Sequence, residues 1–224
     1  AYTPSSFGST DATTGEWKIN TSPTGLSYGT NGFFILKNSN STTDQSGQTN
    51  NWTVSGNLTT TQDCPSNAFC SFNPSDAYLN YTTLTNANLT LNGGSQSVNY
   101  SMIRGTLGAL SGKFYWEVKA VDNAEIDQVG VALTNLYLSG HASSGGLQST
   151  AWGGKGVQLS NGNKVGDGAQ SAYMGGFSAN EVLCIALDLD NTKITFGRNG
   201  QWADGSGNAN QTYANSTPAY TNLT

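Results

Sequence analysis

From residue 77 onward the chain alternates between apolar and polar positions. In KFYWEVK, residues 113 to 119, Phe114, Trp116 and Val118 fall on one side of an extended backbone, and Tyr115, Glu117 and Lys119 on the other. Val129, Val131 and Leu133 repeat the pattern in QVGVAL, while Val157 and Leu159 lead to Asn161-Gly162, after which Val165 returns. Leu89 and Leu91 precede Asn92-Gly93, with Val98 and Tyr100 beyond it, so both places read as hairpins. In the run around IALDLDNTKITFGRNGQW, Leu183, Ile185, Leu187 and Leu189 share one face, and Cys184, Ala186, Asp188 and Asp190 share the other. Asn191-Thr192 turns the chain, Ile194 and Phe196 occupy the next buried face, and Asn199-Gly200 turns it again. No window holds a helical stripe. Short, evenly spaced strands with tight turns predict an all-β protein, an antiparallel β-sandwich.

The first 63 residues are polar and weakly patterned. NGFFILK, 31 to 37, is their only compact apolar run, and FFIL predicts one buried strand, pairing with the sandwich or with a neighbouring subunit. The stretch SNSTTDQSGQTNNWTV reads as a loop followed by another strand. TQDCPSNAFCSFNPSD, 61 to 76, has two prolines and no alternation, which predicts an extended linker tacked down by Phe69 and Phe72. The expected organisation is an extended N-terminal arm and linker over 1–74 and a sandwich over 75–224.

Composition narrows the function. Only 10% of the 224 residues are charged, yet 10 Tyr, 8 Phe and 5 Trp mark a folded chain rather than a disordered one. Net charge is −5 and the nine Lys and Arg are scattered singly, so there is no basic stripe for phosphates, and nucleic acid is not an expected partner. No apolar run approaches the length of a membrane span, and no membrane association is expected. Ala1 without a preceding Met suggests a processed product or a piece of something longer. Cys184 reads as a small core residue, whereas Cys64 and Cys70, six apart, can be bridged or reduced. The N-x-S/T sequons are close to the number that chance gives at this composition, and glycosylation is not implied.

GKFYWEV at 112 to 118, VGVAL at 129 to 133 and NEVLCIALDLDNTKITFGRNGQ at 180 to 201 resemble, in order and spacing, the strand motifs of SPRY domains. Asn180-Glu181 stands where that family usually has Gly-Asp. The resemblance covers roughly 75 to 224 and implies a bent, concanavalin-like sandwich. It also implies further strands beyond Thr224, either in a continuation of the chain or supplied by another one. The flanking segments YTPSSFGSTDATTGEWKINT, YGTNGFFILKNSN, DQSGQTNNWTV and DCPSNAFCSFNPSD resemble virion proteins of marine bacteriophages, in which the YGTNGFF and SGxxNNW pieces look like the end of a laminin-G-like domain. That resemblance implies a tail-fibre or capsid-fibre protein on the virion surface. Its partners would be other virion proteins, further copies of itself, and a host-surface glycan or receptor.

Candidate chemistry is sparse. Asp188 and Asp190 could form a carboxylate pair, but each precedes a turn, where Asp commonly caps backbone amides. Glu125-Ile126-Asp127 resembles the first half of the E-I-D-x-E motif of concanavalin-like glycosidases; the second Glu is missing, and retaining hydrolysis needs two carboxyls flanking the bond. His141 is the only histidine, and no G-x-S-x-G elbow places a serine beside it, so neither a multi-histidine metal site nor a triad is expected. Asp204, Ser206 and Asn208 alternate as calcium-loop oxygens do, although Ala209 replaces the turn glycine and an ordinary polar loop accounts for them. The chain is therefore expected to be non-enzymatic, without cofactor or metal. Recognition is expected on two long polar connections, through Tyr137, His141, Trp152, Lys164 and Tyr173, with a competing reading in which Trp152 and Tyr173 fold back to plug the sandwich end. A glycan-binding adhesin and a polysaccharide-degrading enzyme are the alternatives.

Overall fold

The computed structural model describes residues 2–12, 15, 17–20, 22–36, 41–56, 69–78, 83–92, 102–122, 127–133, 146–148 and 153–223. The chain divides into two compact units, Ala1–Ser71 and Phe72–Thr224.

The first unit contains two paired strands, β1 (Gly8–Thr10) and β2 (Trp17–Ile19). Among its described residues no large apolar side chain is fully buried. The strand expected over FFIL does not form. Its backbone instead bonds to loop groups: Phe34 donates to the Asp44 carboxylate at 2.8 Å and accepts from the Gln45 N–H at 2.8 Å, and Leu36 donates to the Ser41 carbonyl at 3.0 Å. Asp44 also accepts from the Ser46 N–H and hydroxyl and from the Asn50 N–H, so one carboxylate organises the DQSGQTNN loop. The strand expected after that loop is likewise absent, and Trp52 and Val54 are exposed. Trp52 meets Phe33 edge-on at 4.9 Å, and Phe34 stacks on Tyr28 at 5.9 Å.

In the second unit the strands are β3 (Phe72–Tyr78), β4 (Thr83–Thr85), β5 (Thr90–Asn92), β6 (Met102–Gly105), β7 (Lys113–Lys119) and β8 (Gln128–Val131). They continue as β9 (Lys155–Gln158), β10 (Lys164–Gly166), β11 (Ala169–Ser171), β12 (Val182–Asp188), β13 (Lys193–Arg198), β14 (Gln201–Ala203) and β15 (Ala209–Gln211). All pairings are antiparallel. A five-stranded sheet runs β15-β14-β13-β12-β7 and a four-stranded sheet β11-β10-β9-β8. Between them lies the core: Leu183, Ile185, Ile194 and Phe196 from the first sheet, and Val157, with Val129 and Val131 against it, from the second. This is the expected sandwich, with the inward faces those the alternation assigns.

The turns follow their residues. Between β13 and β14, Asn199 (φ 51°) and Gly200 (φ 80°) both have positive φ, as a two-residue hairpin loop requires. Between β9 and β10, Gly162 (φ 71°) packs so closely on the 174–175 backbone that a Cβ would come within 2.1 Å of the Met174 carbonyl.

A further expectation, on the linker, needs correction. Residues 72–76, placed in a linker, begin β3, which pairs with β6 through an irregular stretch between Phe72 and Ala77. Pro74 falls in that stretch, where its missing N–H interrupts no ladder. The hairpin read at Asn92-Gly93 lies partly outside the described residues; the one the structure shows joins β4 to β5 through Asn86, Ala87 and Asn88, all left-handed.

Strand β9 is buried along its whole length, which one-sided alternation does not anticipate. Its inner side faces the core through Val157. Its outer side lies under a short 3-10 turn, Gly146–Gln148, whose Leu147 packs onto Gly154 and Gly156. The Gln148 carbonyl accepts from the Gly168 N–H at 2.7 Å, and its side chain accepts from Gln170 at 2.7 Å, which fastens the turn to the sheet.

Candidate functional site

Asp188 and Asp190 are turn staples. Asp188 accepts from the Asn191 side chain at 2.8 Å and the Asn191 N–H at 3.0 Å, with Lys113 Nζ at 3.5 Å. The Asn191 side chain first, then its backbone and Lys113, hold the carboxyl below the usual range despite opposing burial. Asp190 accepts the Gly112 N–H at 2.7 Å and so ties the start of β7 to the β12–β13 turn. Each carboxylate serves a different backbone amide, an arrangement that fixes the hairpin rather than a shared proton.

Glu125 lies outside the described residues. Where a retaining glycosidase needs its second carboxylate, this chain has Val129, packed against the core. The face carrying that position is turned into the sandwich interior. Asp204 is similarly committed, accepting from the Ser206 and Asn208 N–H groups and from the Asn208 side chain. No group of three or more potential metal-ligating side chains occurs among the described residues.

Of the five residues expected to form a loop surface, Tyr137, His141 and Trp152 lie outside the described residues. Tyr173 is not on the surface: it is 1% exposed, donates to the Thr217 carbonyl at 2.6 Å, accepts from the Phe196 N–H at 3.3 Å and meets the Phe196 ring edge-on. Burial pushes its phenol far above the ordinary range. For this residue the plugging alternative is the one the fold realises. Lys164 is half-buried, donates to the Ala219 carbonyl at 3.1 Å and lies 5.3 Å from the Tyr220 ring. Lys155, itself buried, approaches that ring at the same distance and pairs with Asp167. Lys164 therefore belongs to a clamp around Tyr220, which joins Ile194 across a β-bridge.

The exposed chemistry collects elsewhere, on the outer face of the five-stranded sheet. Alternation along β7 puts Tyr115 outward, directly across from Ala186 of β12, and Trp202 of β14 stands outward across from Gly197 of β13. Large aromatic residues on two strands facing small residues on their neighbours leave a depression between them. Tyr213, from the 3-10 turn Tyr213–Asn215, closes it. The Trp202 ring lies 4.9 Å from Tyr213 at 68° and 6.2 Å from Tyr115 at 55°, so the three rings form angled walls instead of a flat plate. The groove holds about 320 Å³, and Lys113 and Asp188 line it as well as the rings and Ala186. Tyr115 and Tyr213 are each about half exposed.

Tyr115 is fixed by its own hydroxyl, which donates to Glu117 at 2.5 Å. Burial, then Glu117 and the neighbouring Cys184 thiol, push the phenol far above its ordinary value, so it stays protonated. Cys184 itself is buried, though on this outer side of the sheet rather than in the central cluster, and its sulfur accepts the Gly200 N–H at 3.4 Å. Cys70 is an exposed free thiol. The sequence contained one signal for this site: an aromatic residue at an outward position of KFYWEVK.

Residues 113–216 match the family model of the SPRY domain. The chain also superimposes on the crystal structure of the SPRY domain of human HERC1, with a TM-score of 0.50 and 19% identity, over 69% of this chain and 83% of that one. At that identity the likeness establishes the fold. No curated protein matches the sequence.

Proposed function

We propose that this chain is a non-catalytic recognition module which engages its partner through the aromatic groove on the outer face of the five-stranded sheet. Three aromatic side chains held at an exposed depression, outside the central core cluster, carry this reading. Buried aromatic anchors dominate binding energies, and a rigid sheet holds them in place before the partner arrives. SPRY domains are in general interaction modules without catalysis, and the matching region contains the groove's residues from Lys113 to Tyr213. Asp188, Asp190 and Asp204 are committed to turns.

The proposed setting is a bacteriophage virion, as a tail-fibre or capsid-fibre component exposed on the particle and assembled with further copies and other virion proteins. The resemblance of the flanking segments to virion proteins of marine bacteriophages supports it. Host attachment is the role that fits a recognition groove in that setting. A fluorescently labelled chain should adsorb to host cells, and Trp202→Ala should lower adsorption at least about tenfold, as loss of a central anchor does. Trp52→Ala, at an exposed aromatic of the first unit, should leave it unchanged. Equal adsorption by both variants and the parent chain would refute the groove as the recognition site.

A further inference from the structure

We infer that the ligand of this groove is an uncharged hexopyranose unit of a surface polysaccharide. This deepens the recognition reading and rests on it. The groove's one cation and one anion, Lys113 and Asp188, are paired with each other at 3.5 Å, so its lining presents no net charge to a ligand. An anionic group would have to compete with Asp188 for Lys113, and no other Lys or Arg is among the groove's lining residues. The walls are aromatic faces and edges, which suit the C–H face of a sugar ring, and a few polar groups fix orientation, as small-ligand sites require. Those groups are the Tyr213 hydroxyl, which has no hydrogen-bond partner among the described residues, and the Lys113–Asp188 pair.

Size also discriminates. At about 320 Å³ the groove lies at the small end of ligand sites, suited to one or two rings. An extended peptide of the proline-rich kind docks along a succession of aromatic-lined pockets. Here the rings converge on Trp202 at 4.9 and 6.2 Å and flank one open depression.

The test is calorimetric titration of the 224-residue chain with laminari-, cello- and agaro-oligosaccharides, and with sulfated carrageenan oligosaccharides as the charged comparison. At least one neutral series should bind saturably, with affinity changing less than about twofold between roughly 0.05 and 0.5 M salt. Trp202→Ala should weaken that binding at least about tenfold, while Trp202→Phe, which keeps an aromatic face, should retain most of it. Binding of the sulfated series alone, suppressed by salt, would overturn the inference. So would neutral binding indifferent to Trp202→Ala. If no neutral series binds while Trp202→Ala still abolishes host adsorption, the ligand is not a neutral sugar and recognition through the groove stands. If neither property depends on Trp202, both readings fall together.

Discussion

Tyr173 ties three parts of the sandwich together through one hydroxyl, which serves the Thr217 carbonyl and the buried Phe196 N–H. Tyr173→Phe should destabilise the protein by ~1–3 kcal/mol, because the buried Phe196 N–H loses its side-chain partner without gaining water. Tyr173→Ala adds a cavity and should cost about 3–5 kcal/mol, both read from denaturant midpoints. Host adsorption measured at a temperature where each variant remains folded should not change. Titration gives two further residue-level expectations. Burial, followed by Asp167, pushes Tyr220 up to about 12. A phenol whose folded value exceeds its unfolded value near 10 contributes stability in full below pH ~10, and that contribution is lost as pH rises through about 12. Melting temperature should therefore fall across that window, and less steeply in Tyr220→Phe. Asp44 has the opposite sign. Burial pulls it upward but is outweighed by the bonds from Phe34, Ser46 and Asn50, which hold it at about 2 against an ordinary 3.8. Its contribution is present above the ordinary value and lost as pH falls toward 2. The Phe34, Ser46 and Asn50 amides should lose hydrogen-exchange protection together in that range, and a loop still protected at pH 2 would show that Asp44 does not organise it.

At the scale of elements, the central strand β9 is the most sensitive. A Cβ at Gly156 would lie 2.5 Å from the Val129 carbonyl oxygen and 2.6 Å from a Leu147 methyl carbon, backbone on one side and a packed side chain on the other. Gly156→Ala should destabilise by ~1–3 kcal/mol through overpacking, visible as a lower denaturant midpoint. A neutral effect would mean that Leu147 does not hold this position. The same strand shows where sequence reading stops. Strands β7, β12 and β13 were legible because small or polar residues alternate with large apolar ones along each, so Phe114, Trp116, Leu183, Ile185, Ile194 and Phe196 announce their side by alternation. Strand β9 was legible only as the first arm of a hairpin, since its second burial depends on Leu147 arriving from a distant turn. FFIL failed for the converse reason. Its apolar run looked like a strand, but Asp44 and loop carbonyls took the backbone bonds a ladder would have used. Tyr173 sits in AYMGGFS, which has no alternation, so nothing nearby marked it as interior. The groove was half visible: Tyr115 shows as an outward aromatic, but its proximity to Trp202 and Tyr213 depends on the order β7-β12-β13-β14, which spacing alone does not give.

Considered whole, the protein combines a sandwich whose core is closed and whose Asp188, Asp190 and Asp204 are committed to turns with one sheet face that presents aromatic rings to solvent. A scaffold of this kind places recognition on rigid strands, so binding should perturb the site without reorganising the core. The most direct test is amide and aromatic NMR of the isotopically labelled chain, titrated with the host envelope fraction that adsorbs it. Shifts should centre on Tyr115, Ala186, Trp202 and Tyr213 and leave Val157, Leu183 and Phe196 in place. Shifts gathered instead on the 134–152 connection, with Trp202 and Tyr213 unmoved, would contradict the account and return recognition to the loops.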